Sequence, residues 1–356
     1  MHAAAARRAR VVERASELGF DAVGVTRADV PLEVEHARYR AFLEAGFHGE
    51  MAYLEEAAEA RRRLDTADIL EGARSVVCVA RRYDRPAAEE RDPPLARSIA
   101  RYARGQDYHN GLRKKLRRLA AFCRELAAEG EVIRARPLLD EEPVLERAWA
   151  ARAGLGFVGK NGLLIVPGRG SYVLLGEVVT TAEIEPDGPI AERCGACTRC
   201  LDACPTGAFP RPFVLDARRC VAYLTIELRG AVPDELKAGV GDHLFGCDVC
   251  QEVCPFNGGK RPDTTARMFE PHARWGATSL VDVLSADDAR FAELAAGSPI
   301  HRATRAGFAR SAALVLGHVG DPAAAPALAR AAAEDPSAAV REAAAWALSR
   351  LSTERA

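Results

Sequence analysis

Apolar positions recur at helical spacing (Val11, Ala15, Leu18) between about Arg7 and Leu18, and Gly19 follows as a C-cap, so the chain opens on a helix. Asp21 to Thr26 then reads as a short strand, and a second helix is predicted from about Pro31 to Ala45, closed by Gly46. Ser75 to Ala80 is a continuous apolar run of strand length, the pattern of a strand buried on both faces. Pro86 to Pro94 is an acidic, proline-bearing loop. The polar stretch Arg101 to Asn110 leads into a helix from Leu112 to Glu129, with Asp107 or Asn110 as its cap. One face of that helix carries Leu112, Leu116, Leu119, Phe122, Cys123 and Leu126; the other carries Arg113, Lys114, Lys115, Arg117 and Arg118. Such a basic stripe is ordinarily a solvated face, though it suits a polyanion. Val132 to Leu139 is strand-like, Val144 to Ala153 helical, and Leu163 to Val166 and Tyr172 to Thr181 read as two strands joined by Pro167 to Gly170 as a hairpin.

The pattern changes twice after this. Glu183 to Pro189, acidic and proline-bearing, marks a boundary to a cysteine-rich segment that ends near Asn257 to Pro262. Beyond it alanine dominates, and Ala312 to Gly317 recurs as Ala344 to Ser349 with Asp321-Pro322 and Asp335-Pro336 between them. Short helices punctuated by Asp-Pro indicate a HEAT-like helical tail, against the plainer reading of a helical bundle, and such repeats commonly form docking surfaces. The expected division is 1–188, an α/β (α+β) domain; 189–262, the cysteine domain; and 263–356, the helical repeat tail.

Composition permits a large core, with 48% hydrophobic residues in 356, a length suited to two or three domains. Net charge is −1, from 49 basic and 50 acidic side chains, which excludes a chain that coats nucleic acid nonspecifically and leaves room for a local basic face. No apolar leader segment is evident in Met1 to Arg8, and no stretch approaches the roughly 18 apolar residues of a membrane helix. The expectation is a soluble, cytoplasmic protein.

The cysteines change the picture most. Cys194, Cys197, Cys200 and Cys204-Pro205 have the C-x2-C-x2-C-x3-C-P spacing of bacterial ferredoxins, in which the fourth cysteine serves a second cluster. A second set is present as Cys220, Cys247, Cys250 and Cys254-Pro255. By that crossover, one 4Fe–4S cluster takes Cys194, Cys197, Cys200 and Cys254, and the other takes Cys204, Cys220, Cys247 and Cys250. Disulfides do not suit the expected compartment, and zinc sites lack the third and fourth cysteines at these offsets. Cys78 and Cys123 sit in apolar surroundings and read as small core residues.

Three other features carry possible chemistry. Asp140-Glu141-Glu142-Pro143 stands where a strand gives way to a loop; its commoner use is to cap the next helix, its rarer one catalysis. Gly154 to Gly162 follows a helix, so it is not a dinucleotide fingerprint, and suits a backbone bend lying close to a flat cofactor. Arg61-Arg62-Arg63 reads as a solvated cluster or, less commonly, an anion site. Asp107-Tyr108-His109-Asn110-Gly111 places one residue between histidine and glycine, so the corrinoid pattern D-x-H-x-x-G is absent and any cobalamin would bind in another mode.

Taken in order, Gly105-Gln106-Asp107-Tyr108-His109, Asp140-x-x-Pro143 with Glu146-Arg147, Gly154 to Asn161, Gly170-Ser171 with Gly176-Glu177, the cysteines, Tyr223-Leu224-Thr225 and Gly246-Cys247-Asp248 resemble the epoxyqueuosine reductase family over nearly the whole chain, tail included. The resemblance implies cobalamin in the N-terminal domain, akin to that of reductive dehalogenases, fed by two 4Fe–4S clusters. The substrate implied is epoxyqueuosine at the anticodon wobble position of tRNA, reduced to queuosine. It also implies Asp140 as proton donor, with Asp140, Arg63, Tyr102, Asn161, Ser171, Ala222 and Asp248 as cobalamin contacts and Arg229 as a tRNA contact. The family commonly has a small residue after its aspartate, whereas Glu141 stands here. Opening an epoxide to an alkene takes two electrons and an acid; cob(I)alamin, cycling with cob(II)alamin, supplies a two-electron nucleophile, and low-potential clusters supply the electrons from an external donor. A carboxyl group beside an apolar macrocycle is expected to favour its protonated form. A monomer is expected. The rival readings are an iron–sulfur electron carrier docking through the tail, and a cobalamin-dependent reductive dehalogenase.

Overall fold

The computed structural model describes residues 3–58, 60–86, 88–258, 264 and 266–353. The elements are α1 (Ala3–Glu17), β1 (Ala22–Arg27), α2 (Glu33–Glu44), β2 (Ser75–Arg82), α3 (Pro94–Arg97), α4 (Tyr108–Arg124), β3 (Ala135–Leu138), α5 (Glu146–Arg152), β4 (Phe157–Val158), β5 (Leu164–Ile165), β6 (Val173–Thr180), α6 (Arg199–Asp202), α7 (Val221–Ile226), α8 (Asp234–Lys237) and α9 (Val249–Glu252), followed by α10 (Leu280–Leu284), α11 (Asp288–Ala295), α12 (Thr304–Val319), α13 (Ala325–Glu334) and α14 (Ala338–Thr353).

The central sheet has the order β1-β2-β6-β3, and every pair is antiparallel. It is covered on both faces, which is why β2 carries no polar alternation over Val76 to Ala80. Val25, Val77, Val79 and Val178 face α1 and α4 through Val11, Ala15, Leu112, Leu116, Leu119 and Cys123. Val76, Cys78, Leu138 and Val179 face the other way, toward Leu32, Leu64, Trp149 and Ala150. Gly24 is required where β1 meets the end of α5, since a Cβ there would lie 2.1 Å from the Ala153 carbonyl oxygen.

Several boundaries differ from the sequence reading. The helix expected over Leu112 to Glu129 starts earlier, because Asp107 caps it by accepting from the His109 backbone N–H, and it ends at Arg124. The strand expected from Val132 begins at Ala135, the first residue with a partner on β6; Val132 is 86% exposed. The expected hairpin is not formed. Its turn closes, with Val166 and Gly170 exchanging backbone hydrogen bonds, but β5 pairs with β4 while β6 enters the central sheet. Asp140, Glu141 and Glu142 do not cap the following helix, whose N-cap is Leu145.

One continuous buried cluster joins α3, α7, α8 and α12–α14, from Leu95 through Leu224 and Phe245 to Leu314 and Ala344. Arg310 of α12 is wholly buried and donates to the carbonyls of Leu224, Leu228 and Gly230. The Asp-Pro punctuation is structural: Asp321 accepts from Ala323 N–H, and Asp335 from Ser337 N–H while pairing with Arg305. The segment end placed at Pro262 lies outside the described residues. Among the described residues no helix is long and apolar enough to cross a membrane.

Candidate active site and cluster ligands

The cap of α4 does more than start a helix. Oδ1 of Asp107 accepts from the His109 backbone N–H at 3.0 Å and lies 2.5 Å from Nδ1 of the same residue. Nε2 of His109 stands 3.1 Å from Oδ1 of Asp140, which follows β3 by two residues. The Tyr108 hydroxyl donates to the other oxygen, Oδ2 of Asp140, and its ring stacks on His109 at 4.1 Å between centroids. The loop before the cap is pinned where Asp107 N–H donates to the Gly297 carbonyl, and Gly105 has no room for a Cβ against Met268.

This geometry sets the protonation. Burial works against the His109 imidazolium, but Asp107 and Asp140 overcome it and push the group up to about 9. Burial likewise raises the Asp140 carboxyl, yet the His109 and Tyr108 hydrogen bonds, with the charges of His109 and Arg302, hold it below the usual carboxylate range. Both shifts favour the proton on His109 over Asp140. The sequence reading weighed an apolar macrocycle beside Asp140 and not the imidazole that faces it at 3.1 Å. Tyr108 stays neutral, raised by burial and then by Asp140. The neighbouring acids turn aside, Glu141 to Arg113 and Glu142 to Arg136.

The two cysteine runs fold alike, each with a short helix, α6 or α9, between its second and fourth members, and these helices pack on each other. Burial pushes the Cys194 thiol up to about 11, with Cys254 among the nearby groups that disfavour its thiolate; Cys200 is raised by burial with Cys254 and Cys197 nearby. Cys220 is raised by burial with Cys204 nearby, Cys247 to about 12 by burial with Cys220 and Cys204 nearby, and Cys250 by burial with Cys220 and Cys247 nearby. Among these neighbours Cys254 goes with Cys194 and Cys200, and Cys204 and Cys220 go with Cys247, while Cys250 lies near Cys220, Cys247 and Cys200. Among the described residues no three His, Cys, Asp or Glu side chains converge on one metal ion; a 4Fe–4S cube asks for something different, one thiolate for each iron. Cys78 and Cys123 are buried, with thiols raised by burial, as core residues should be.

The other candidate contacts form two groups and two outliers. Ser171, Asp248 and Asn161 meet around α9: Ser171 Oγ donates to Gln251 at 2.9 Å, Gln251 donates to Asp248 at 3.2 Å, and Asn161 donates to the Cys250 carbonyl at 3.3 Å. Asp248 also receives Arg101, whose guanidinium lies over Tyr172. Tyr102, half-buried, packs between Tyr108 and Phe245, and Ala222 lies on α7 against the same core as Phe245. Arg63 stands apart, paired with Asp65, and Arg229 is exposed with its backbone N–H on Glu50. The arginine triplet is not a free solvated cluster: Arg61 is buried against Tyr39, and Arg62 pairs with Glu33.

Sequence reasoning placed Asp140 and the cysteines but read Asp107 and His109 as a helix entry. The available signal was the i, i+2 pairing of a cap aspartate with a histidine, which can present one carboxylate to a backbone and a ring N–H at once. The buried glutamates Glu146 and Glu177 were quoted within motifs and given no role. On the basic face of α4, Lys115 donates to the Leu18 carbonyl, while Asn110, Arg113, Lys114, Arg117 and Arg118 line a shallow open depression.

Comparison with known proteins agrees with this geometry. Residues 63–140 match the model of epoxyqueuosine reductase QueG, DUF1730; residues 193–257 match a 4Fe-4S double cluster binding domain; and residues 300–356 match HEAT repeats. The chain is 42% identical over 323 residues to the epoxyqueuosine reductase of Gloeobacter violaceus, covering 88% of this chain and 97% of that one. It is 40% identical over 340 residues to that of Pseudomonas aeruginosa, covering 94% and 91%. A crystal structure of epoxyqueuosine reductase with a tRNA-Tyr epoxyqueuosine-modified stem loop superposes with a TM-score of 0.85 at 34% identity, covering 96% of this chain and 89% of that one.

Proposed function

The chain belongs to the epoxyqueuosine reductase family, and on that premise we propose that it reduces epoxyqueuosine to queuosine at the wobble position of tRNA, with cobalamin and two 4Fe–4S clusters as cofactors. It is an oxidoreductase carrying a double 4Fe–4S domain. The observation that carries the reading is the Asp140–His109 pair in a chain that also has a 4Fe-4S double cluster binding domain. The reaction needs both: the epoxide takes up two electrons and two protons and becomes an alkene and water.

Cobalamin, when bound, would supply a low-potential two-electron nucleophile. The residues present suit it. Asn161, Ser171 and Asp248 offer amide, hydroxyl and carboxylate groups to the amide rim of a corrinoid, and Tyr102 and Ala222 offer apolar surface. Both ring nitrogens of His109 are engaged by carboxylates. Cys194, Cys197, Cys200 and Cys254 would hold one cluster, and Cys204, Cys220, Cys247 and Cys250 the other. Asp140 directs the proton carried by His109 to the epoxide oxygen, Asp107 fixes the imidazole's orientation, and Tyr108 steadies the carboxylate. Arg63 is a further cofactor contact.

The partner is the anticodon stem-loop, met by Arg229 and by the cationic face of α4, whose Arg113 pairs with the residue next to Asp140. The working division is 1–188 for the catalytic domain, 189–262 for the clusters and 263–356 for the repeats, in a cytoplasmic monomer reduced by an external low-potential donor. Protein purified without oxygen should contain cobalt, iron and acid-labile sulfide, and should convert epoxyqueuosine in tRNA to queuosine, read by mass spectrometry of nucleosides. Protein with both clusters and cobalamin that leaves epoxyqueuosine unchanged under a strong reductant would overturn the proposal.

A further inference from the structure

Glu177 occupies the middle of β6, opposite Cys78 of β2 and Leu138 of β3 in register. Its side chain therefore points with theirs, into the apolar core that also holds Val144, Trp149 and Ala150. It is 0% exposed, and neither carboxyl oxygen has a hydrogen-bond partner. Helix α5 packs over β2 and β6 on this face. Glu146 and Trp149, three residues apart on α5, share its inner side. Oε1 of Glu146 and Nε1 of Trp149 are likewise buried and unpartnered, although Glu146 as a whole is half-buried.

Four orphaned polar atoms in one apolar core are costly, at about 1–3 kcal/mol each if left unmade, and more for a carboxylate that keeps its charge. Protonation of the carboxyls lowers that cost, and four such atoms are as many polar partners as a buried water takes. The electrostatics agree. Burial and then the Asp140 charge push Glu146 up to about 8, and burial with Glu146 and Asp140 pushes Glu177 well above its ordinary range. The titratable groups that face Glu177 are Cys78, Glu146 and Asp140, with no cation among them; Glu146 faces Asp140, His109 and Arg147.

We propose that Glu146 and Glu177 are an internal proton store, two carboxylic acids joined through buried water, that recharges the Asp140–His109 pair while bound RNA shuts that pair off from solvent. The idea rests on the proposed reduction, which consumes two protons whereas the Asp140–His109 pair holds one. The first proton, from His109 by way of Asp140, opens the ring to a hydroxyl. The emptied pair then takes one proton from the two carboxyls, the proton that remains is shared between Glu146 and Glu177, and the second proton leaves with the hydroxyl as water. Both glutamates regain their protons through half-exposed Glu146 once product departs. The two electrons that break the C–O bonds come from the reductant of the proposed reaction, and the proton transfers themselves change no oxidation state.

The test uses the full-length protein with its cofactors, in wild-type form and as Glu146→Gln and Glu177→Gln. Infrared spectroscopy of the resting protein at neutral pH should show carbonyl bands of protonated carboxylic acids that shift in heavy water, one lost in each variant. Single turnover on a saturating modified stem-loop should slow by about 10- to 100-fold in each, less than for loss of the acid itself, with stem-loop affinity unchanged. Absence of the bands, or wild-type turnover in both variants, overturns the store. Glu177→Met removes the buried carboxyl without leaving a polar orphan, so a well-folded Glu177→Met protein with wild-type turnover overturns it too. The infrared arm needs no substrate: inactive wild-type protein that shows the bands would count against the proposed reduction, whereas active protein without them counts against the store alone.

Discussion

Replacing His109 with glutamine should move the pH dependence of the reaction, because the structure puts the working proton on that ring. The imidazolium is raised from 6.5 to about 9 by Asp107 and Asp140. At about 1.36 kcal/mol per unit that is about 3 kcal/mol, and solvent screening of a half-exposed group reduces it to about 1–2 kcal/mol. A raised pKa gives stability that is fully present below about 6.5 and is lost as pH rises through about 9. In the variant, Asp140 loses the partner that most lowers it and must act as an acid on its own. An ordinary carboxyl near 4 is protonated about one part in a thousand at pH 7, and burial softens this, so turnover at neutral pH should fall about 10²- to 10³-fold. The assay is single turnover on a modified stem-loop across pH 5 to about 10, with thermal melts alongside. Wild type should lose activity as pH rises through about 9; His109→Gln should lose it several units lower, and its deficit in melting temperature should vanish at high pH. A high-pH limb that stays near 9 in the variant would refute the assignment of the proton to His109.

Asp140→Asn should keep cobalamin, both clusters and stem-loop affinity yet lose about 10²- to 10⁴-fold in turnover, while Glu141→Gln and Glu142→Gln, whose carboxylates are tied to Arg113 and Arg136, stay near wild type; the reverse pattern in the same kinetic assay would reassign the donor. Cys220→Ser should lower iron and sulfide from two cubes toward one, with electron paramagnetic resonance keeping the signal of the cluster held by Cys194, Cys197, Cys200 and Cys254; loss of both signals together would contradict independent quartets. Stem-loop affinity should fall as salt rises, and Lys114→Ala and Arg117→Ala should each reduce the slope of log affinity against log salt by about one, an outcome excluded if the slopes match wild type.

Much of this was legible along the chain because the signals are local. A cysteine spacing announces a double-cluster domain, an apolar run such as Val76 to Ala80 announces a strand covered on both sides, and Asp-Pro pairs announce helix starts. What escaped depends on approach between distant segments. Nothing near Leu164 says that it pairs with Phe157 and not with β6, since both partners are apolar and the turn at Pro167 to Gly170 suits either. The His109–Asp140 contact joins a helix cap to a strand end across 31 positions, and its effect on protonation opposes what the surroundings of Asp140 alone suggest. Glu177 is invisible for the opposite reason: a lone glutamate in a strand reads as a solvent-facing residue until the sheet is seen to be covered on that side.

Arg310 ties these parts together in time as well as in space. Its three carbonyl partners surround the end of α7, the helix that starts immediately after Cys220. During synthesis all eight cluster cysteines emerge before Arg310 does. Until that side chain arrives, the carbonyls of Leu224, Leu228 and Gly230 lack the donor that joins them in the folded chain. The end of α7 is therefore completed by a residue about 80 positions downstream, and it is finished only when α12 of the repeat segment has folded onto it.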